Sequence, residues 1–262
     1  MESLQSNTVQ ESTTASLLYG RIRAACIHLI ASGAIAALLF LFFWFRLYAA
    51  PLFQAAGGLE IFVTLLAIDV VLGPLMTLIV WKKDWKQLRR DLAVIAFVQI
   101  AALCYGIYTL WIARPVYIAA LVQRFDVVHA TDVHDAEIAA SGKSLPWLGP
   151  EWVGIKQATD PKERERVMFA SLGGVDYGHF PQHHQPIENM RDEILKSAQP
   201  LVELKKLNPG EEVAIDRWVE RRGAKPDAVV FQGLRARSQD MAVVMDAKTA
   251  KVIGIAPFKP WP

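Results

Sequence analysis

Residues 60–81 read EIFVTLLAIDVVLGPLMTLIVW, an apolar stretch long enough to cross a bilayer with one carboxylate, Asp69, near its middle. A charge at that depth costs roughly 2.5–3.5 kcal/mol on insertion scales, so a chain that keeps it puts it to use. Five residues later Pro74, beside Gly73, removes a helical N–H and clashes with the carbonyl of Val70. Charge, kink and span together describe a membrane helix that does more than anchor. The plainer alternative is a carboxylate that only ties one helix to the next.

Two more stretches meet the length of about 20 apolar residues that a bilayer requires. Residues 24–48 run AACIHLIASGAIAALLFLFFWFRLY, and residues 91–113 run DLAVIAFVQIAALCYGIYTLWIA, ending in aromatic residues suited to an interface. The first starts late for a secretory signal, exceeds the length of a signal core and is followed by a poor cleavage site, so it is read as an uncleaved span. Arg21 and Arg23 precede it, and the loop KKDWKQLRR after the second span carries Lys82, Lys83, Lys86, Arg89 and Arg90. The positive-inside rule puts both on the cytoplasmic side, which leaves residues 114–262 on the far side. In a bacterium that is the periplasm.

The 262 residues are 53% hydrophobic with a formal net charge of +2, an average over two unlike halves. Residues 1–113 hold 8 Lys/Arg and 6 Asp/Glu, and residues 114–262 hold 20 of each. The second half is thus charge-rich and balanced, with no bias toward nucleic acid, and at about 150 residues it can bury a core of its own. Both cysteines, Cys26 and Cys104, fall in or beside spans, at depths too different for a bridge. The expected architecture is a disordered cytoplasmic tail over 1–20, a three-helix transmembrane domain over 21–113 and a mixed α+β periplasmic domain over 114–262.

Within the exported half, 115–133 is rich in β-branched and aromatic residues and predicts one or two strands. Residues 141–152 are turn-rich. Asp160 followed by Pro161 starts a helix over 161–172. The Gly and Pro of 173–186 predict a loop, and 187–207 an amphipathic helix interrupted near Pro200. A further helix follows Asn208-Pro209 and stops at Gly223. The alternating segments DAVVFQGL, DMAVVMD and AKVIGIAPF predict a closing three-stranded meander.

Candidate chemistry is sparse. His179, His183 and His184 form the densest group of potential metal ligands, but Pro181 lies between them and a solvated loop explains them as well. His129 and His134-Asp135 near a strand end read equally as a surface turn. The ASGKS of 140–144 fails as a phosphate loop because Glu137 stands where glycine is required. No G-x-S-x-G, C-x-x-C or H-E-x-x-H is present, so the expectation is no enzyme and no cofactor. In the spans, Ala31-Ser32-Gly33 and Ala36-Ala37 allow close helix approach, and Gln99 and Tyr105 lie at depths from which either can reach the Asp69 carboxyl. The sharper reading gives Asp69 a polar or cationic partner on another protein's transmembrane segment.

The segments AIDVVLGPLMTLIVWKK and DLAVIAFVQIAALCYGIYTLWIARPVYIAALVQRFDVVHATDV resemble the type IV pilin accessory proteins of the TfpX/TfpZ (FimB-like) type, most densely over 57–133. The resemblance implies a bacterial inner-membrane protein assisting pilin handling or type IV pilus assembly, a chaperone-like modulator with pilin and the bilayer as its partners, while the small residues of the first span serve a second copy of the chain as easily as its neighbours within one chain. Asp69, Gly73, Pro74, Gln99 and Tyr105 become candidate pilin-binding residues, and Gly106, Arg114 and Pro115 match the motif without an assigned role. The competing class is a membrane-anchored periplasmic sensor or transport-associated binding protein using the loop of His179, His183 and His184.

Overall fold

The computed structural model describes the backbone of residues 2–81 and 85–262 and the side chains of 18–81 and 86–262. The chain divides into two compact units. One runs through Phe42 and resumes over Leu59–Leu110, and the other joins Phe43–Gly58 to Trp111–Pro262.

The first unit is helical. Helix α1, Glu2–Phe42, continues into a π turn over Phe43–Leu47, and the short α2, Leu52–Ala55, follows in the second unit. Then come α3, Gly58–Leu66, a π turn over Ala67–Leu72, α4, Gly73–Val80, and α5, Trp85–Ile112. Three runs, Leu18–Leu47, Gly58–Val80 and Lys86–Ile112, are long and apolar enough to cross a membrane, and they coincide with the three expected spans. The widened turn before Gly73 is the local answer to Pro74, which has no N–H to return to the preceding turn. At the end of α4, Arg21 Nε donates to the Trp81 carbonyl (3.2 Å), a cation satisfying a helix C-terminus. The expected disordered tail over 1–20 is corrected: its residues belong to α1 from Glu2 onward. The segment holds no proline and no glycine before Gly20, and the apolar turns behind it already provide the nucleus that a polar helix cannot easily supply itself. Lys82, Lys83 and Asp84 of the basic loop lie outside the described residues.

The second unit is built on an eight-stranded mixed sheet. Its strands are β1, Pro115–Ala120, β2, Phe125–His129, β3, Glu151–Ile155, β4, His184–Pro186, β5, Gln199–Pro200, β6, Val229–Arg235, β7, Met241–Asp246, and β8, Val252–Ala256. Their order is β4-β3-β1-β2-β6-β7-β8, with the two-residue β5 also pairing β6. Helices α6, Asp135–Ser141, α7, Pro161–Leu172, α8, Arg191–Ser197, α9, Leu201–Leu207, and α10, Glu212–Glu220, connect them. Every residue of β1 and β2 is buried, as central strands require. Leu201 and Leu204 of α9 and Ile215, Trp218 and Val219 of α10 pack on Val229, Phe231, Ala242 and Val244, forming the core of the meander.

Most expected elements stand: β1 and β2 where one or two strands were expected, here paired antiparallel, α7 with Asp160 Oδ2 accepting from the Glu163 amide (3.2 Å), and the antiparallel β6–β7–β8 meander. The interruption expected near Pro200 separates α8 from α9, because Pro200 cannot donate to a continuing helix and the chain there pairs with β6 instead, while Ile187–Met190 forms a 3₁₀ turn rather than α-helix. The turn-rich stretch before residue 152 hides β3, which pairs parallel to β1. The 173–186 loop holds two 3₁₀ turns and ends in β4.

The connection between the first two spans packs with the sheet-bearing residues. Phe43, Leu47, Tyr48, Leu52, Phe53 and Ala55 are buried, and the Ala55 carbonyl accepts from the amides of Ser238 (2.8 Å) and Gln239 (3.2 Å).

Candidate functional site

The polar side chains of the helical unit meet at the widened turn. In the α register residue 74 would donate to the Val70 carbonyl, and in the π register to that of Asp69; as a proline it can do neither. Gln99 of α5 supplies a donor instead: its Nε2 lies 3.4 Å from the Asp69 backbone oxygen. Gly73 makes this approach possible, since a Cβ there would lie 2.0 Å from Gln99 Nε2 and 3.0 Å from His28 Nε2. One turn on, the buried Thr77 donates its hydroxyl to the Gly73 carbonyl (3.0 Å) and sits 2.7 Å from His28 Nδ1. Because that hydroxyl proton is already committed, Nδ1 carries the proton of His28 and donates to Thr77 Oγ1.

The Asp69 carboxyl is treated differently. Its Oδ1 is buried and has no hydrogen-bond partner among the described residues. It borders a cavity of about 210 Å³ walled by α1, by the span containing α3 and its π turn, and by α5, with His28, Ser32 and Gln99 as the other polar lining and Ile35, Phe62, Leu65 and Leu103 among the apolar lining. An acceptor left unmade in such surroundings costs about 1–3 kcal/mol, so the site favours an N–H, O–H or cationic group that enters from outside.

Of the residues picked from the sequence, Asp69, Gly73 and Gln99 come together, with Pro74 buried beside them. Tyr105 does not. It is 71% exposed and has no part in the Asp69 cluster, because its neighbour Gly106 takes the inward direction. A Cβ at Gly106 would meet Leu65 Cδ1 at 2.3 Å, and successive helical residues point about 100° apart. Gln99 reaches the Asp69 backbone rather than its carboxyl. Ala31, Ser32 and Ala36 line the cavity, whereas a Cβ on Gly33 would meet nothing within 4 Å. His28 and Thr77 were missed. The rule that marked Asp69, an ionisable group inside an apolar span, also marks His28.

In the sheet-bearing unit the three loop histidines are engaged one by one. His183 Nε2 meets Glu163 Oε1 (2.9 Å), His184 Nε2 donates to the Gly178 carbonyl (2.9 Å), and His179 Nδ1 lies 2.9 Å from the Asp176 amide, whose proton it accepts. Glu163 is also held by Arg166 (2.7 Å), which with His183 lowers its carboxyl to about 2. His129 pairs with Asp132 at the end of β2 (3.1 Å), and His134 precedes α6. Among the described residues no three His, Cys, Asp or Glu side chains are placed to hold a metal ion.

His184 is the pH-sensitive member. Burial pushes its imidazole down to about 4, and its Nδ1 is buried without a partner while the ring packs edge-on against Tyr117 (4.5 Å). Between pH 6.5 and 4 the unfolded chain therefore binds a proton that the folded one refuses, and stability falls as pH drops through that window. A melting series from pH 7 to 4.5 should lose roughly 2 kcal/mol, and His184→Gln should flatten the slope. Above about pH 4.5 the carboxylates lowered to about 2, Glu163 and Asp132, do not contribute to it. An unchanged slope in the variant would assign the pH dependence elsewhere.

Three apolar helices enclosing a polar cluster, joined to a helix-bearing mixed sheet, define a class: a membrane-type helical unit carrying an α+β unit. Comparison with known proteins narrows it. The chain is 26% identical over 227 residues to the fimbrial assembly protein of serogroup I from Dichelobacter nodosus, covering 84% of this chain and 88% of that protein. It is 24% identical to the serogroup E1 protein with the same coverage. To the fimbrial assembly protein of serogroups C1 and C2 it is 32% identical over 109 residues, 41% of this chain and 83% of that protein. The chain belongs to the family of fimbrial assembly proteins, in keeping with the resemblance of its helices to type IV pilin accessory proteins. No family model matches the chain, and no solved structure does.

Proposed function

We propose that this protein is an inner-membrane accessory factor for type IV pilus assembly that binds pilin and works by binding rather than by catalysis. Family membership supports the role in assembly. The observation that carries pilin binding is Asp69, whose buried Oδ1 has no hydrogen-bond partner among the described residues, held in a π turn and bordering a cavity between apolar helices. A protein segment crossing the same bilayer, with a donor or cation at matching depth, satisfies that carboxyl where lipid tails cannot.

The packing also supports the topology. Three spans put the connection between the first two and the C-terminal region on one face of the membrane, and Phe43–Gly58 and Trp111–Pro262 do form one compact unit. The basic residues before the first span and after the second argue that this face is the periplasmic one. Each histidine of the loop makes a hydrogen bond within the chain, which argues for the pilus-assembly reading over the sensor reading.

A photo-reactive side chain at Leu72, 49% exposed and three residues from Asp69, tests the proposal in cells making pili, with Val70 as the second site. The expected adduct is a major or minor pilin. Adducts only with unrelated membrane proteins, or only with itself, would reject it.

A further inference from the structure

We propose that the turn Pro146-Trp147-Leu148-Gly149-Pro150 is a bilayer-interface anchor, which inserts Trp147 and Leu148 among lipid headgroups and upper acyl chains and fixes the level at which the sheet-bearing unit rides on the membrane. The proposal rests on the membrane reading above and is independent of the pilin.

The turn is built against two span ends. Trp147 packs edge-on against Trp111 (ring centroids 5.2 Å apart), one residue from the end of α5 at Ile112. On its other side, a Cβ at Gly149 would lie 3.6 Å from the carbonyl of Arg46, which belongs to the π turn ending the first apolar run at Leu47. Residues at the ends of spans mark the interface, so a turn in contact with both ends lies at that depth. Its contents match: Trp147 is 73% exposed and Leu148 54% exposed, although the unit buries most of its large apolar side chains. Tryptophan favours this layer because it has an apolar body and a polar N–H.

The turn is also held firmly. Arg114, itself buried, donates twice to the Pro146 carbonyl, from Nε (3.3 Å) and Nη2 (3.1 Å). Its Nη1 donates to the Trp111 carbonyl (2.8 Å), and its guanidinium lies over the Trp111 ring at 4.2 Å. Prolines flank the exposed pair, and Gly149 takes a φ of +69° that a residue with a Cβ rarely adopts. An apolar pair shown to solvent on a turn this constrained is displayed by design, and the phase beside both span ends is lipid.

Site-directed spin labelling of the full chain, in vesicles of phosphatidylethanolamine and phosphatidylglycerol, tests this. In a Cys26→Ser, Cys104→Ser background, single labels go at Leu148→Cys, at Phe97→Cys on the exposed side of α5 and at Val213→Cys on exposed α10. Collisions with molecular oxygen report lipid, and collisions with a water-soluble nickel chelate report solvent. The label at 148 is expected to collide more with oxygen and less with the chelate than the label at 213, and to fall between it and the label at 97. A label at 148 that matches 213 while 97 reads lipid overturns the anchor and leaves the membrane reading intact. A label at 148 shielded from both reagents also overturns it, since protein would then cover the turn. If 97 matches 213, the membrane reading fails and takes the anchor with it.

Discussion

Asp69→Asn is expected to weaken pilin association ten- to a hundredfold and to reduce surface pili, while leaving the helical unit assembled. The substitution changes charge at constant shape. Oδ1 of Asp69 has no hydrogen-bond partner among the described residues, so the amide breaks no hydrogen bond at that oxygen. The contact that closes the widened turn runs from Gln99 to the Asp69 backbone carbonyl, which the variant keeps. What disappears is the anionic acceptor offered to an incoming segment, worth about 1.5–3 kcal/mol when the bond is charge-assisted, or roughly one to two decades in affinity. Thr77→Val provides the contrast. It removes the hydroxyl between His28 and the Gly73 carbonyl and should lower bundle stability by about 1 kcal/mol without touching the carboxyl. Pull-down of pilin by the purified variants, alongside pilus counts, separates the two effects. Unchanged association and pilus number in Asp69→Asn would end the idea that this carboxyl meets the client.

The spans, the disturbed helix at Pro74 and the meander were legible because each depends on a local pattern. Apolar length, a proline in a helix and alternation along a strand act over a few residues, and they marked Gly58–Val80, Pro74 and β6–β8. Asp69, Gly73 and Gln99 could be named for the same reason. That Gln99 serves a carbonyl freed by Pro74 could not be read, because it depends on which face of α5 turns toward the kink. Tyr105 shows the same limit: depth placed it correctly, and rotation about the helix axis pointed it outward. The packing of Phe43–Gly58 was illegible for a different reason. Its Phe, Leu and Tyr residues read as the end of a span and an apolar connection, and only contacts with residues such as Ser238, far along the chain, assign them to another core. Strand β3 was lost among turn residues because five residues carry too little pattern, and its pairing with β1 is non-local.

Gly233→Val should be the most damaging single change in the sheet-bearing unit, costing about 3 kcal/mol, roughly what is lost when a packed tryptophan is deleted. Gly233 lies in β6, and the ring of Trp261 covers it so closely that a Cβ there would fall 1.9 Å from Cζ3 and 2.0 Å from Cη2. No flexible tip can yield at that contact; the indole must leave. When it leaves it gives up the hydrogen bond from Nε1 to Asp240 Oδ2 (2.8 Å), whose other oxygen accepts from the Ala236 amide (2.9 Å) in the turn joining β6 to β7. The C-terminal segment is pinned a second time where Asn208 bonds both the amide and the carbonyl of Lys259, so the displaced tail loosens from one end only. The mechanism predicts non-additivity. Trp261→Ala alone should cost a similar amount, but adding Gly233→Val to it should cost little more, because the occupant that clashed is already gone. Denaturant melts of the two single variants and the double variant measure that coupling. Costs that simply add would mean that Trp261 does not press on Gly233 in solution.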